Sequence, residues 1–381
     1  MAQPKRIALD LRRIRNPGIG RYMKCLAEAL LARDPEDEYL LIMLPGTEEM
    51  ITAPAVHAEK LSVDLKYYSI REQIELPRLL RARGVDLLHS PHFMLPLRRA
   101  CPSLVTIHDV IYLACKEDLP SRLGRFYYRA MMAAAVRAAD RIITDSEFSK
   151  HDIMRRLNAG ASQIEVIYPA VAPQFRKITD EARLQQVRSV YGIRGEYLLY
   201  TGIFKPRKNH AGLLRAFRHL LRIAGDAQLV IAGPASEAVA ELRCLAGDLG
   251  IAANVVFTGF VEELHLPALY SGAHLYACPS LYEGFGFTVL EAMACGVPVV
   301  CSTETSLPEV AGDAALYADP RNPERFGRAL AEVWTNCELR DRLVQKGHKN
   351  LQRFSWAQTA EQTAALYHQV LGTVFERVVM A

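Results

Sequence analysis

In the stretch CPSLYEGFGFTVLEAMACG, residues 278 to 296, Glu283 and Glu291 stand on either side of a glycine loop that leads into an apolar helix pattern. Gly284 and Gly286 carry no side chains, so a ligand can approach the backbone there closely, with Phe285 between them. The helix that follows should end at Gly296, and its free N–H groups and positive dipole end make an anion site. Glu291 falls about one turn inside that helix. A carboxylate beside a bound phosphate is electrostatically poor unless it grips hydroxyls, which suits Glu291 to a ribose and Glu283 to a sugar. Sugar, diphosphate and ribose occur in that order in a nucleotide sugar. The plainer alternative is a helix-capping Glu283 and a solvated Glu291.

A second cluster, GIFKPRKNHAGLLRAF, begins at Gly202 and puts Lys205, Arg207 and Lys208 on a loop between a strand and a helix. Cations there would neutralise a leaving diphosphate without a metal, and an Arg fork binds phosphate oxygens in pairs; a solvated basic loop is the alternative. Gly18 and Gly20 in NPGIGRY lack the third glycine of a dinucleotide fingerprint. They allow close approach to a sugar or acceptor, or merely a helix entry. In TIHDVIYL, His108 could hydrogen-bond a sugar hydroxyl or be a buried structural histidine. His89 and His92 in HSPHF have no third ligand nearby, so no metal site is expected.

These residues must be held by strands and helices. Two series of β-rich runs alternate with helical patterns, first RIALDL, EYLLIML, VDLLHS, SLVTIHD, RIITDS and IEVIYP, then YLLYTG, QLVIAG, NVVFTG, HLYACPS, PVVCS and ALYAD. Such alternation predicts two parallel α/β sheets. The proline-containing YPAVAPQFRKI separates them and places a domain boundary near Pro173. His108, the loop from Gly202 to Lys208, Gly233 and the Ser280–Gly286 loop all fall at strand C-terminal ends, where open parallel sheets bind ligands. Two such crevices facing each other would enclose one elongated ligand.

At 381 residues the chain suits two cores. It has no run near the roughly 18 apolar residues of a membrane span. Charges occupy MAQPKRIALDLRR where a signal peptide needs apolar residues, and eight scattered cysteines form no CxxC pair, so a cytoplasmic protein is expected. A net charge of +4 with no recognition signature gives no reason to expect nucleic-acid binding. Arg122, Arg125 and Arg129 share one face of a predicted helix with Leu123, Phe126 and Tyr127 close by. That helix either packs on its own sheet or, with Arg78, Arg81 and Arg83, supports weak contact with anionic lipid at the inner face of a membrane.

The joint pattern resembles the retaining glycosyltransferases of the GT-B group, family four. The similarity runs from GIGRY through HD, SEFSK, VIYPAV, YTGIFKPRKN, the Glu283–Glu291 stretch and SLPEVAGDAALYADP to RFSWAQTA. The resemblance implies two facing Rossmann-like domains: an acceptor-binding one over 1–173 and a nucleotide-sugar-binding one over 174–364. A C-terminal helix, about 365–381, would cross back to the first. It implies that Glu283 and the amides of Gly284 to Gly286 contact the donor sugar, Glu291 the ribose, Lys208 the phosphate and His108 the transferred sugar. Two departures stand out. The Arg that often follows the glycine of the phosphate loop is Ile203, leaving Arg207 to supply charge, and Phe287 and Thr288 replace a helix-opening Pro. The implied reaction is front-face transfer of a hexose with retention, needing no metal or other cofactor. GDP-mannose is the favoured donor, and a saccharide or lipid-linked saccharide of cell-surface polysaccharide assembly is the acceptor. A UDP-hexose-dependent glucosyl or GlcNAc transferase, a nucleotide-sugar epimerase and a non-catalytic nucleotide-sugar-binding protein are the alternatives.

Overall fold

The structure is a computed structural model that describes residues 4–16, 18–33, 37–52, 57–67, 69–96 and 98–379, with 374–379 as backbone alone. Pro17 of the NPGIGRY motif and the last two positions of the expected C-terminal helix lie outside the described residues.

The described chain divides into two compact units. The first holds β1 (Arg6–Asp10), β2 (Glu38–Met43), β3 (Ala58–Ser62), β4 (Leu87–Ser90), β5 (Ser103–Thr106), β6 (Arg141–Thr144) and β7 (Ile164–Val166). They form a parallel sheet of order β3-β2-β1-β4-β5-β6-β7. The second holds β8 (Tyr197–Thr201), β9 (Gln228–Ala232), β10 (Val255–Gly259), β11 (Leu275–Cys278), β12 (Val299–Ser302) and β13 (Ala315–Ala318), ordered β10-β9-β8-β11-β12-β13 and again parallel. Strands such as YLLYT and QLVIA are buried throughout because helices cover both faces of a parallel sheet. Every predicted strand is present. The unpredicted one, β3, is a half-exposed edge strand, and AEKLS carries no apolar run or alternation by which to find it.

Strand order reverses between β1 and β4 in the first sheet and between β8 and β11 in the second. At such switch points the flanking loops diverge to opposite faces and leave a crevice beyond the strand ends. The loops after β8 and β11 are the ones that carry Arg207, Lys208 and Glu283.

The first unit ends at Ala170, within the separating stretch YPAVAPQFRKI and close to Pro173, whereas Ala114–Leu119 belongs to the second unit although first-unit residues flank it in sequence. The return to the first unit begins at Phe354, not about 365, because Phe354 packs edge-on against Tyr168 and the Thr359 hydroxyl donates to the Tyr168 carbonyl at 2.7 Å. The resulting helix, Trp356–Val379, buries Ala360, Ala364 and Tyr367 in the first core.

Candidate active site

In the second unit, Gly202 leaves β8 at φ 152°, and a Cβ at Gly233 would lie 2.1 Å from the Gly202 carbonyl oxygen. Glycine at 233 thus lets the loops after β8 and β9 touch. The chain then makes the turn Pro206–Lys208 and enters helix His210–Leu221 through Asn209, which is left-handed at φ 56°. The Asn209 amide donates to the carbonyls of Pro279 and Pro320, and the Leu281 amide to the Arg207 carbonyl at 2.7 Å. These bonds dock the basic turn on the loop after β11.

Across that junction Lys208 Nζ donates to Glu283 Oε1 at 2.5 Å, and the Ser280 hydroxyl donates to the same oxygen at 2.7 Å. Burial pushes the Glu283 carboxyl up. The positive charges of Lys208 and Arg207 and the hydrogen bonds from Lys208 and Ser280 outweigh it, leaving the carboxyl below its ordinary range. The glycine loop is pinned from the segment after β12. The Glu283 amide donates to Thr305 Oγ1, and the Ser306 hydroxyl donates to the carbonyls of Glu283 and Phe285. Gly286, at φ 108°, turns the chain into helix Phe287–Ala294 without the expected proline, and no side chain caps that helix. It ends at Gly296, left-handed at φ 73°, as the sequence indicates.

Glu291 is 5% and Glu283 7% exposed. The Tyr270 hydroxyl donates to Glu291 Oε2 at 2.8 Å and lies 2.5 Å from Thr201 Oγ1. The capping and solvated alternatives therefore both fail. Arg207 and Lys208 are not a solvated loop either, with side chains 11% and 12% exposed. Arg207 Nε pairs with Asp118 Oδ2 at 3.0 Å. Ile203, at the position where the related pattern has Arg, is exposed.

In the first unit, Gly18 takes φ 78° with open space where a Cβ would be. A Cβ at Gly20 would sit 2.0 Å from the Ile14 carbonyl oxygen, so the packing of the loop on its helix accounts for that glycine without any ligand. His108 follows β5 and gives Nδ1 to Asp145 Oδ2 at 2.7 Å, with the Tyr22 ring edge-on at 4.6 Å. Asp145 Oδ1 is buried without a partner, and His108 Nε2 makes no hydrogen bond of good geometry although the Pro91 backbone near the ring favours its charged form. Burial lowers the affinity of His108 for a proton, and the charge and hydrogen bond of Asp145 reverse that, so its pKa is raised. His89 is a core histidine, bonded to the Tyr367 hydroxyl and to Thr106, and burial takes its pKa down to about 3. Arg13 Nη1 lies 2.7 Å from His92 Nε2, and since a guanidinium only donates, His92 accepts there as the neutral ring. Among the described residues no group of three or more His, Cys, Asp and Glu could hold a metal ion.

The sequence reading placed Ser280 at a strand end without giving it a role, and missed Asp145, Asp118, Tyr270, Thr305 and Ser306. Asp145 had a signal, since it follows the C-terminal end of β6 as His108 follows that of β5. Asp118 had none.

The basic helix is Arg122–Ala138. Met132, Ala135 and Val136 pack inward as an ordinary sheet-covering helix would, whereas Leu123 is 77% and Phe126 72% exposed near its start. No helix among the described residues is long and apolar enough to cross a membrane.

Comparison with known proteins places the chain in a family. The model of Glycosyltransferase Family 4 matches residues 17–175, and that of glycosyl transferases group 1 matches 187–350. O-antigen chain mannosyltransferase B of Escherichia coli is 31% identical over 367 residues, covering 92% of this chain and 95% of that protein. The serotype-specific mannosyltransferase WbdA of Escherichia coli is 31% identical over 258 residues, covering 66% of this chain but only 32% of its own length. The structure of Anabaena HepE in complex with UDP and glucose superposes with a TM-score of 0.74 at 18% identity, covering 96% of this chain and all of the other, which is a likeness of fold. With its two parallel-sheet units of GT-B type, the chain belongs to glycosyltransferase family 4.

Proposed function

We propose that the protein is a retaining hexosyltransferase that moves mannose from GDP-mannose to a saccharide or lipid-linked saccharide in the assembly of a cell-surface polysaccharide, without a metal ion. The carrying observation is the Lys208–Glu283 pair with Arg207 beside it, at the switch point of the second sheet and next to an uncapped helix N-terminus. Mannose and polysaccharide rest on the likeness to the O-antigen chain mannosyltransferase B of Escherichia coli over nearly the full length of both chains.

In this reading the donor diphosphate lies against Lys208, Arg207, Gly202 and the amides of Gly284, Phe285 and Gly286. Glu283 takes hydroxyls of the transferred sugar and Glu291 those of the ribose. The family resemblance further assigns His108 to a sugar hydroxyl and Gly18 to close backbone approach of a sugar or acceptor. The bond from the anomeric carbon to the phosphate oxygen breaks as the acceptor oxygen bonds to that carbon on the same face. The departing phosphate takes the acceptor proton, while the cations and helix dipole stabilise the charge gathering on it. Two neighbouring cations and a dipole do the work that a divalent ion would otherwise supply.

Thermal-shift measurements with GDP, UDP, dTDP and ADP in EDTA test the donor half, because a ligand that binds only the native state raises its apparent stability. The expected result is the largest shift with GDP. A larger shift with UDP moves the assignment to a UDP-hexose, and a shift that requires magnesium overturns metal independence.

A further inference from the structure

We propose that Asp118 is the positioning residue for Arg207, so that Ala114–Leu119, a segment flanked in sequence by the other unit, is a working part of the phosphate-binding loop. The inference rests on the donor-binding reading above. Three observations carry it. The short turn Lys116–Asp118 lies in the second unit and packs on the turn Pro206–Lys208. Asp118 is 5% exposed and sets Oδ2 3.0 Å from Arg207 Nε. The pair is an ion pair and not an aligned hydrogen bond, since Arg207 Nε, Arg207 Nη1 and Asp118 Oδ1 are each buried without a hydrogen-bond partner.

A buried arginine whose donors find no partner within the protein is suited to an anion that would supply one. A pair built only for stability would use both forks of the guanidinium, as Arg12 does in the first unit, where it bonds Asp10 through Nε and Nη2 and also reaches Glu72 and the Leu65 carbonyl. Arg207 instead faces Asp118 at ion-pair distance and has Nε and Nη1 without hydrogen bonds. The backbone of the same turn is tied to the loop after β11 through the Leu281 amide. The charge of Asp118 beside Nε and the tied backbone hold the guanidinium on the turn that also carries Lys208. Asp118 thus compensates for Ile203: the arginine moves along the loop, and a carboxylate from a remote segment sets its direction.

The test is a double-mutant cycle with a split readout. Dissociation constants for GDP and UDP, and for guanosine and uridine, are measured by calorimetry on the full chain as wild type, Asp118→Ala, Arg207→Ala and the double variant. Asp118→Ala should weaken binding of the preferred diphosphate roughly tenfold, the scale of one hydrogen bond to a charged group. It should leave the nucleoside constant alone and have no further effect once Arg207 is Ala. Should Asp118→Ala fail to fold, Asp118→Asn, which keeps the shape and one acceptor oxygen, should show the same pattern with a smaller loss. A variant that melts earlier but binds diphosphate like the wild type, or one that weakens diphosphate equally in both Arg207 backgrounds, overturns the inference. If neither diphosphate binds the wild type, the donor-binding reading falls and takes this inference with it.

Discussion

Lys208 Nζ and Glu283 Oε1 meet at 2.5 Å across 75 residues of sequence, joining the loop after β8 to the loop after β11. Both side chains are nearly buried, so removing one partner strands the other's charge. Lys208→Ala should destabilise the fold by about 3 kcal/mol, and adding Glu283→Gln should restore part of that loss. The Glu283 carboxyl is depressed in the fold, so its contribution is present above the ordinary carboxylate range and lost as pH falls through the folded value. Denaturant melts from pH 3 to 7 should show a shallower acid slope in Lys208→Ala. A double variant no more stable than the single one would count against a coupled pair.

His108 and Asp145 give the opposite sign. Burial disfavours the charged ring and Asp145 more than compensates, so the folded pKa is raised. Stability from this pair is full below the unfolded histidine value and declines as pH rises through the folded one. Asp145→Asn should therefore lose more stability at pH 6 than at pH 9, measured by urea unfolding at both. Turnover should fall as well, because the ring loses the anchor that fixes Nε2. Equal losses at the two pH values would mean that the ring is neutral throughout.

Glu291→Gln keeps an oxygen for the Tyr270 hydroxyl and removes the charge. It should raise the donor dissociation constant by roughly 10- to 100-fold, the scale of hydrogen bonds to a charged group. Glu283→Ala should instead lower turnover more than it weakens nucleotide binding. Calorimetry alongside initial rates separates the two, and identical profiles would sink the assignment of ribose and sugar.

How much of this was legible in the sequence follows from how far each contact reaches along the chain. Glu283, the glycines and Glu291 lie within one loop and helix, where local spacing alone points to an anion site. Lys208 was legible because strand C-terminal ends form one crevice, a rule that also applied to Asp145 and was not carried that far. The partnership of Arg207 with Asp118 was not legible: it depends on a six-residue segment joining a unit that its neighbours do not, and nothing in KED marks that. Gly20 was half read. Its lack of a side chain was visible, but the carbonyl of Ile14 that requires it comes from tertiary packing. The edge strand β3 escaped because the core asks little of it.

The exposed start of helix Arg122–Ala138 carries Arg122, Leu123, Phe126 and Arg129 together on the surface. Each basic residue near an anionic membrane contributes about 1 kcal/mol, so weak and salt-sensitive attachment is expected. Co-sedimentation with phosphatidylglycerol vesicles should exceed that with phosphatidylcholine, and Leu123→Ser/Phe126→Ser should reduce it. Binding that ignores lipid charge and salt, or none at all, would leave this helix as a cover for its own sheet.

Hexosyl transfer with retention from a nucleotide donor leaves its record in the products. The purified protein is incubated in EDTA with GDP-α-mannose and a mannose-terminated oligosaccharide, and the products are resolved by mass spectrometry and proton NMR. The expected result is an oligosaccharide one mannose longer with an α linkage and one equivalent of GDP, and no change to the donor sugar when acceptor is left out. A β-linked product, epimerised donor without acceptor, or no extension with either GDP-mannose or a UDP-hexose would contradict it.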